Sequence, residues 1–272
     1  MSKKTIAEFD DYKCLNVSVV DGVGKINLNR PEQLNAISFS MAEELKRAVE
    51  NVAWRSDVKV LLFSGAGRAF CAGYDVTTPR SGRTPREKMR DAVQVSSALD
   101  AIRSAPVVRV AQLHGHVVGA GLALALQCHL RYAAVGTRFS VPELDFGIPF
   151  LLGGASLLTR ELGPVRAADM ILNCAPFVVE KGAATNGLVT EVLNNQDLKS
   201  RVDEVVAKLS QRPEALLMAT VATLDRANQD LLAPAPTDMF HGFFVRSDPE
   251  SQQVGATYVT ALKGKDASRR KT

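Results

Sequence analysis

The sequence has few of the features that mark secreted, zinc-binding or membrane-spanning proteins. Its four cysteines are widely separated and form no C-x-x-C pair, which argues against a disulfide framework and a zinc cluster. The opening residues, MSKKTIAEFDDYK, lack the apolar core of a secretory signal. The longest apolar stretch, 107–126, is interrupted by Arg109, Gln112, His114 and His116. We therefore expect a soluble, cytoplasmic protein with reduced thiols.

The sequence also has little excess of one sign of charge over the other. The formal net charge is only +4, and the lysines and arginines are scattered along the chain. A nucleic-acid binder would concentrate them on one face, so neither nucleic acid nor a membrane is expected as a partner. Apolar residues make up 46% of the chain, which is enough to build a sizeable core.

Alternating strand and helix patterns dominate the first two thirds of the chain. The stretch CLNVSVVDGVGKINLN alternates apolar and polar residues around Asp21-Gly22, a dipeptide typical of tight hairpins. The runs VKVLLFSG and VVRVAQLHG are typical of strands buried on both faces. Because such strands interleave with helical segments, the predicted class is α/β. The arginine- and proline-containing segment 77–91 is predicted to be a loop.

The pattern changes near residue 197, after which the strand signals stop. Amphipathic helices follow, separated by the proline-rich link APAPTD. The sequence therefore predicts an α/β core over residues 1–197 and a helical region over 198–272. Helices with exposed apolar faces often pack against another subunit, so the second region is predicted to mediate oligomerisation.

Two turns rich in small residues are candidate binding sites. Gly119, Ala120 and Gly121 lie where a helix is predicted to begin, and the first N–H groups of a helix have no acceptor within it. A ligand oxygen could approach this bare backbone closely, and the helix dipole would favour negative charge there. The turn Ala72–Asp75 offers a second N–H, and two converging N–H groups form an oxyanion hole. Tight helix packing and an ordinary surface turn are the alternatives.

Four motifs in order resemble those of the crotonase superfamily, the enoyl-CoA hydratase and isomerase group. They are NRPEQLNAIS (29–38), GRAFCAGYDV (67–76), GHVVGAGLALALQCHLRYAA (115–134) and FSVPELDFGIP (139–149). The similarity runs from about residue 15 to 195. It implies a spiral of strand-strand-helix units and C-terminal helices that build trimers or dimers of trimers.

The resemblance also implies a chemistry and a set of residues. Members of this family bind acyl-CoA thioesters and hold the carbonyl oxygen with two backbone N–H groups, here those of Tyr74 and Ala120. Ala36, Ala72 and Asp75 would lie near the adenine and pantetheine of CoA. CoA enters as part of the substrate, and neither a further cofactor nor a metal is expected.

Departures from the family pattern bear on the reaction. Hydratases of this family typically use two glutamates, which here correspond to Ala123 and Glu143. The Δ3,Δ2-enoyl-CoA isomerases resemble this chain better, with an apolar residue at the first position and one glutamate at the second. Leu151 stands where dienoyl-CoA isomerases place an aspartate. An isomerase with Glu143 as its base is therefore expected. A weak hydratase and a non-catalytic acyl-CoA binding protein remain the alternatives.

Other polar residues have simpler interpretations. Glu143 could instead complement the dipole of a helix that starts after Pro142, although apolar neighbours would raise its pKa and suit a base. Asp145 is expected to be structural and Asp75 to cap a turn. The pair His114 and His116 lacks a third metal ligand, so packing at a strand end is expected. The basic segment from Arg80 to Arg90, including Arg83 and Arg86, is expected to be a solvated loop; the alternatives are a wall of the acyl pocket or a contact for the CoA phosphates.

Overall fold

The fold is built on two β-sheets. The structure is a computed structural model that describes residues 6–9, 11–77, 84–181, 187–230 and 247–269. The larger sheet contains, in spatial order, β1 (Ile6–Phe9), β2 (Leu15–Val20), β3 (Val23–Leu28), β4 (Val60–Gly65), β5 (Val108–Leu113), β7 (Leu130–Ala134) and β10 (Glu191–Leu193). The smaller sheet contains β6 (His116–Val118), β8 (Arg138–Ser140) and β9 (Phe177–Val178).

Strand direction follows from the connections. Asp21 and Gly22 both have positive φ, 51° and 82°, and turn β2 into antiparallel β3 with Val20 opposite Val23. From β3 onward the large sheet is parallel through β4, β5, β7 and β10. Parallel neighbours need crossover connections, and helices supply most of them. The predicted hairpin and the α/β class are confirmed.

Eight α-helices lie in the described residues. They are α1 (Phe39–Ala53), α2 (Pro85–Ser104), α3 (Ala120–Leu126), α4 (Gly154–Leu162), α5 (Pro164–Leu172), α6 (Asn195–Ser210), α7 (Glu214–Asp230) and α8 (Pro249–Arg269), with 3₁₀ turns at Pro31–Gln33 and Leu144–Phe146.

The predicted loop over 77–91 is wrong in its second half. There α2 begins at Pro85, and Thr84 is its N-cap. The Thr84 hydroxyl accepts from the Glu87 N–H at 3.3 Å, while the Glu87 carboxylate accepts from the Thr84 N–H at 2.7 Å. This reciprocal capping box outweighs the irregular composition. Arg86 and Arg90 are therefore exposed helical residues, whereas Arg80 and Arg83 lie outside the described residues.

Each face of the large sheet is covered by a different apolar layer. One face packs with the small sheet and α1 to α3, burying Phe63, Phe70 and Phe139 among others. The opposite face is covered by α6 and α7, which contribute Leu198, Val202, Val206 and Val221. The site described below lies on the side of the small sheet.

The predicted boundary between residues 197 and 198 falls inside α6, which packs directly on the sheet. The next helix, α7, is tied to the sheet by charge. Arg109 on β5 is 2% exposed and pairs with Asp225 of α7, while also donating to the carbonyls of Ala105 and Gln127. These contacts explain how an arginine is tolerated in an apolar strand.

Among the described residues, no helix has the length and apolar character needed to cross a membrane.

Candidate active site

Three chain segments come together at one edge of the small sheet. The N–H of Ile37 donates to Gly73 O at 2.7 Å, and the Asp75 N–H donates to Ile37 O at 3.0 Å. Two residues before Gly73, the Cys71 N–H donates to His116 O, and the Val118 N–H donates to Cys71 O. The segments ending at Ile37, Tyr74 and Gly119 therefore lie side by side.

This pairing orients the two predicted backbone donors. Because Ile37 bonds to the residues on either side of Tyr74, the N–H of Tyr74 points away from Ile37. Gly73 lies close to the start of α3, since a Cβ placed on it would be 3.8 Å from Ala120 N. Ala120 is the first residue of α3, so its N–H has no acceptor within the helix. The predicted donors are thus on adjacent segments.

Gly119 makes room for the carboxyl group of Glu143. Its φ of 48° lies in the left-handed region, and its N–H donates to Ser140 O at 3.0 Å. A Cβ on Gly119 would be 2.3 Å from Glu143 Oε1 and 3.2 Å from its Cδ. The acid that was predicted to be the base therefore lies against the backbone that immediately precedes Ala120.

The local backbone holds Glu143 in this place. Glu143 precedes the 3₁₀ turn Leu144–Phe146, and its carbonyl accepts from the N–H groups of Phe146 and Ile148, both at 3.0 Å. Gly147 ends the turn with φ of 68°. The helix whose dipole Glu143 could have complemented is thus only a single 3₁₀ turn, and the carboxyl group of Glu143 faces Gly119 instead.

One oxygen of the Glu143 carboxyl group has no polar partner. Its Oε2 atom is buried and has no hydrogen-bond partner among the described residues. Burial raises the pKa of Glu143 to about 7. A carboxyl group with this pKa suits a base near neutral pH, because about half of it is ionised there and the ionised form has a high affinity for a proton.

The predicted departures from the two-acid pattern are visible in the structure. Ala123 lies on α3, fully buried in the main core, and brings no polar group toward Glu143. Leu151 is half-buried in the turn before α4. Asp145 is exposed, which fits a role outside the chemistry. Glu143 supplies the three atoms that lie nearest to a Cβ placed on Gly119, immediately before α3.

The predicted CoA-binding residues lie together but differ in what they offer. Ala36 and Ala72 are half-buried and adjacent, since the Ala72 N–H donates to Leu34 O. The Asp75 carboxylate, 3% exposed, accepts from Arg30 at 2.9 Å and from the backbone and hydroxyl of Thr77. It therefore caps a turn as expected, and protein groups occupy its carboxylate oxygens.

Two partners of the site were missed by the sequence interpretation. Arg30 holds the first turn together, since it also donates to Ala36 O, and its place in the NRPEQLNAIS motif was the available signal. Tyr258 of α8 stacks on Phe146 with ring centroids 4.0 Å apart, beside Glu143. No local pattern marks that contact.

His114 bonds to Gly67 O, and no group of three candidate metal ligands occurs in the described residues.

Comparison with known proteins agrees with this geometry. A family model described as enoyl-CoA hydratase/isomerase matches residues 19–252. The chain therefore belongs to the enoyl-CoA hydratase/isomerase family, and the predicted resemblance is confirmed.

Individual relatives show the breadth of this family. A probable enoyl-CoA hydratase of Mycobacterium leprae is 30% identical over 244 residues, covering 88% of this chain and 93% of its own. A peroxisomal Δ(3,5)-Δ(2,4)-dienoyl-CoA isomerase of Arabidopsis thaliana is 27% identical, covering 81% and 84%. The crystal structure of an enoyl-CoA hydratase from Mycobacterium avium subsp. paratuberculosis superposes with a TM-score of 0.81 at 26% identity, covering 92% of this chain and all of that one. The predicted crotonase-type fold is confirmed.

Proposed function

We propose that the protein isomerises the double bond of an enoyl-CoA, with Glu143 as its single base. The observation that carries this proposal is the position of the Glu143 carboxyl group: its Oε2 atom is buried without a hydrogen-bond partner among the described residues, and its Oε1 atom lies against the backbone before Ala120. Moving a double bond requires one group that removes a proton and returns it, so one carboxylate is sufficient.

The reaction proceeds through a dienolate. Glu143 removes a proton from C2 of a 3-enoyl-CoA, and the C2–H electron pair delocalises onto the thioester oxygen. The N–H groups of Tyr74 and Ala120 stabilise the negative charge on that oxygen. Each such donor typically lowers the activation barrier by about 3 kcal/mol. The protonated Glu143 then delivers the proton to C4 as the double bond moves to C2–C3. The carboxylate is regenerated, and no other reactant is consumed.

Hydration is the second candidate, because the names of the relatives lean toward hydratases. Water addition usually employs two positioned proton-transfer groups, each worth about 10²–10⁴-fold in rate. Ala123 supplies no such group. Hydration by Glu143 alone is therefore expected to be slow.

Product analysis separates these reactions. The purified protein is incubated with a 3-enoyl-CoA in deuterated water, and the product is identified by chromatography and mass spectrometry. The proposal predicts the 2-enoyl isomer, and it predicts that Glu143→Gln forms this product about 10³-fold more slowly. The matched control Glu43→Gln changes an exposed glutamate of α1 and should retain full activity. Faster conversion of a 2-enoyl-CoA to the 3-hydroxy product would favour the hydratase, and calorimetric binding without turnover would favour a binding protein.

We also propose a cytoplasmic homotrimer or dimer of trimers. Four free thiols support a reducing compartment. Leu216, Met218 and Leu224 on α7 are exposed apolar side chains, which supports a subunit contact. Light scattering of the purified chain should give a trimeric or hexameric mass, and Leu216→Glu should lower it. A monomeric mass for the unmodified chain would contradict this proposal.

A further inference from the structure

Helix α8 is docked on the turn that follows Glu143 by an unusually close backbone contact. A Cβ on Gly147 would be 2.1 Å from Ser251 O and 3.3 Å from Gly255 N. In the opposite direction, a Cβ on Gly255 would be 2.6 Å from Phe146 O. Each glycine thus admits the backbone of the other element, and a side chain at either position would force them apart.

The start of α8 is fixed independently of this contact. The Asp248 carboxylate accepts from the Ser251 N–H at 2.8 Å, and Pro249 occupies the first turn of the helix. Both features are typical of a helix N-terminus. Because the helix begins at a defined residue, its side chains meet the Glu143 turn at defined positions.

Tyr258 is the residue that α8 places beside the turn. Its ring packs on Phe146 at 4.0 Å between centroids, with the planes inclined at 53°. It is half-buried, and burial together with the charges of Asp145, Cys174 and Glu143 raises the pKa of its phenol. The phenol therefore stays neutral at physiological pH, so it presents an apolar ring rather than a charge to the turn.

We propose that Tyr258 is a positioning residue for Glu143: by packing on Phe146 it fixes the turn and keeps water away from the carboxyl group. This inference rests on the proposed function only in that Glu143 is the base. The physical argument is that Oε2 of Glu143 has no polar partner among the described residues and that burial is the main cause of its raised pKa, so its proton affinity depends on how completely the surrounding side chains exclude water. The ionisable groups around this turn in the described residues are Asp145 of the turn itself, Cys174 after α5 and Tyr258 of α8.

The test is the pH dependence of Tyr258→Ala, with Tyr258→Phe as the conservative variant. Removing the ring admits water, so the acid limb of the kcat/KM profile should move to lower pH by at least about half a unit. Tyr258→Phe should restore the original profile, since it retains the packing on Phe146. Thr257→Ala, an exposed neighbour on the same helix, is the matched control and should leave the profile unchanged. An unchanged profile in Tyr258→Ala would overturn the proposal.

A second variant and a second measurement test the role of Tyr258 independently of the first. Gly255→Ala should move the acid limb in the same direction, because its methyl group would clash with Phe146 O, whereas Ala256→Ser on the exposed side should not. Titration of the Glu143 carboxyl carbon by NMR needs no substrate. If that titration moves to lower pH in Tyr258→Ala while the unmodified protein isomerises nothing, the proposed function fails and this inference stands. If the titration does not move, the inference fails whatever the reaction.

Discussion

Asp75 and Glu143 are both acids with buried carboxylate oxygens in the candidate site, and their hydrogen-bond partners differ. Asp75 lies in the turn after Tyr74, where Arg30 and Thr77 occupy its oxygens. Burial opposes its ionisation, but the hydrogen bonds from Thr77 and Arg30 prevail and lower its pKa. Glu143 has no partner for Oε2, and burial alone raises its pKa to about 7.

The comparison shows that the proton affinity of a buried acid is decided by its partners. A carboxylate whose oxygens are occupied contributes to the structure, and it has no free lone pair directed at a substrate. A carboxylate without partners destabilises its surroundings but can accept a proton from carbon. The contacts of Asp75 hold the turn, and the lack of a partner for Oε2 of Glu143 supports the proposal that this acid is the base.

Converting each acid to its amide should separate the two roles most strongly. Glu143→Gln should lower kcat for double-bond migration by about 10³-fold, because the base is lost, with little change in KM. Asp75→Asn keeps the size of the side chain and should lower kcat by less than about 10-fold. Steady-state kinetics of both variants measures the difference. Equal losses would contradict the division of roles.

Removing Asp75 altogether should cost more stability than changing Glu143. Asp75→Ala leaves Arg30 without its counter-ion in a largely buried position, which should lower the free energy of unfolding by about 3 kcal/mol. Glu143→Gln breaks no ion pair of the described residues and should not destabilise the fold. Urea denaturation of both variants provides the measurement. A loss below about 1 kcal/mol in Asp75→Ala would show that the ion pair does not support the turn.

Giving Glu143 a second acid nearby should change the reaction it supports. Ala123→Glu restores the two-glutamate pattern implied by the family resemblance, and hydration of a 2-enoyl-CoA should rise by about 10²-fold. Because Ala123 is fully buried, the larger side chain will also cost stability. Ala123→Gln has the same size without the acid, so it is the control. Equal hydration rates in the two variants would contradict a role for the missing carboxylate.

Much of this arrangement was predictable from local sequence. The Asp21-Gly22 turn identifies its hairpin because few other residues adopt two successive positive φ values. The motif spacing placed Glu143 near Ala120 before any geometry was known. The capping box of Thr84 and Glu87 is also a local pattern, although the prolines and arginines around it are typical of a loop.

The remaining features depend on contacts between distant segments. Gly147 and Gly255 are 108 residues apart by their numbering, and neither is marked by a local pattern that requires the other. The packing of α6 on the sheet is similar, since its apolar stripe fits a subunit contact as well as a core. A stripe indicates that a face will be covered, but only the tertiary structure shows by what.

The smallest expected effect concerns stability against pH, where the two acids act in opposite directions. The raised pKa of Glu143 means that the folded state retains a proton that the unfolded state has lost, so this group reduces stability as pH rises from about 4.5 to about 7. The lowered pKa of Asp75 has the opposite effect on stability, and its contribution is lost only at acid pH.

Between pH 5 and pH 8, the free energy of unfolding of the unmodified protein should therefore fall by about 2 kcal/mol more than that of Glu143→Gln. Denaturation at both pH values, with Glu43→Gln as control, measures this difference. Parallel pH dependence in the unmodified protein and Glu143→Gln would mean that the Glu143 carboxyl group is hydrated, and the contrast between the two acids would then rest on geometry alone.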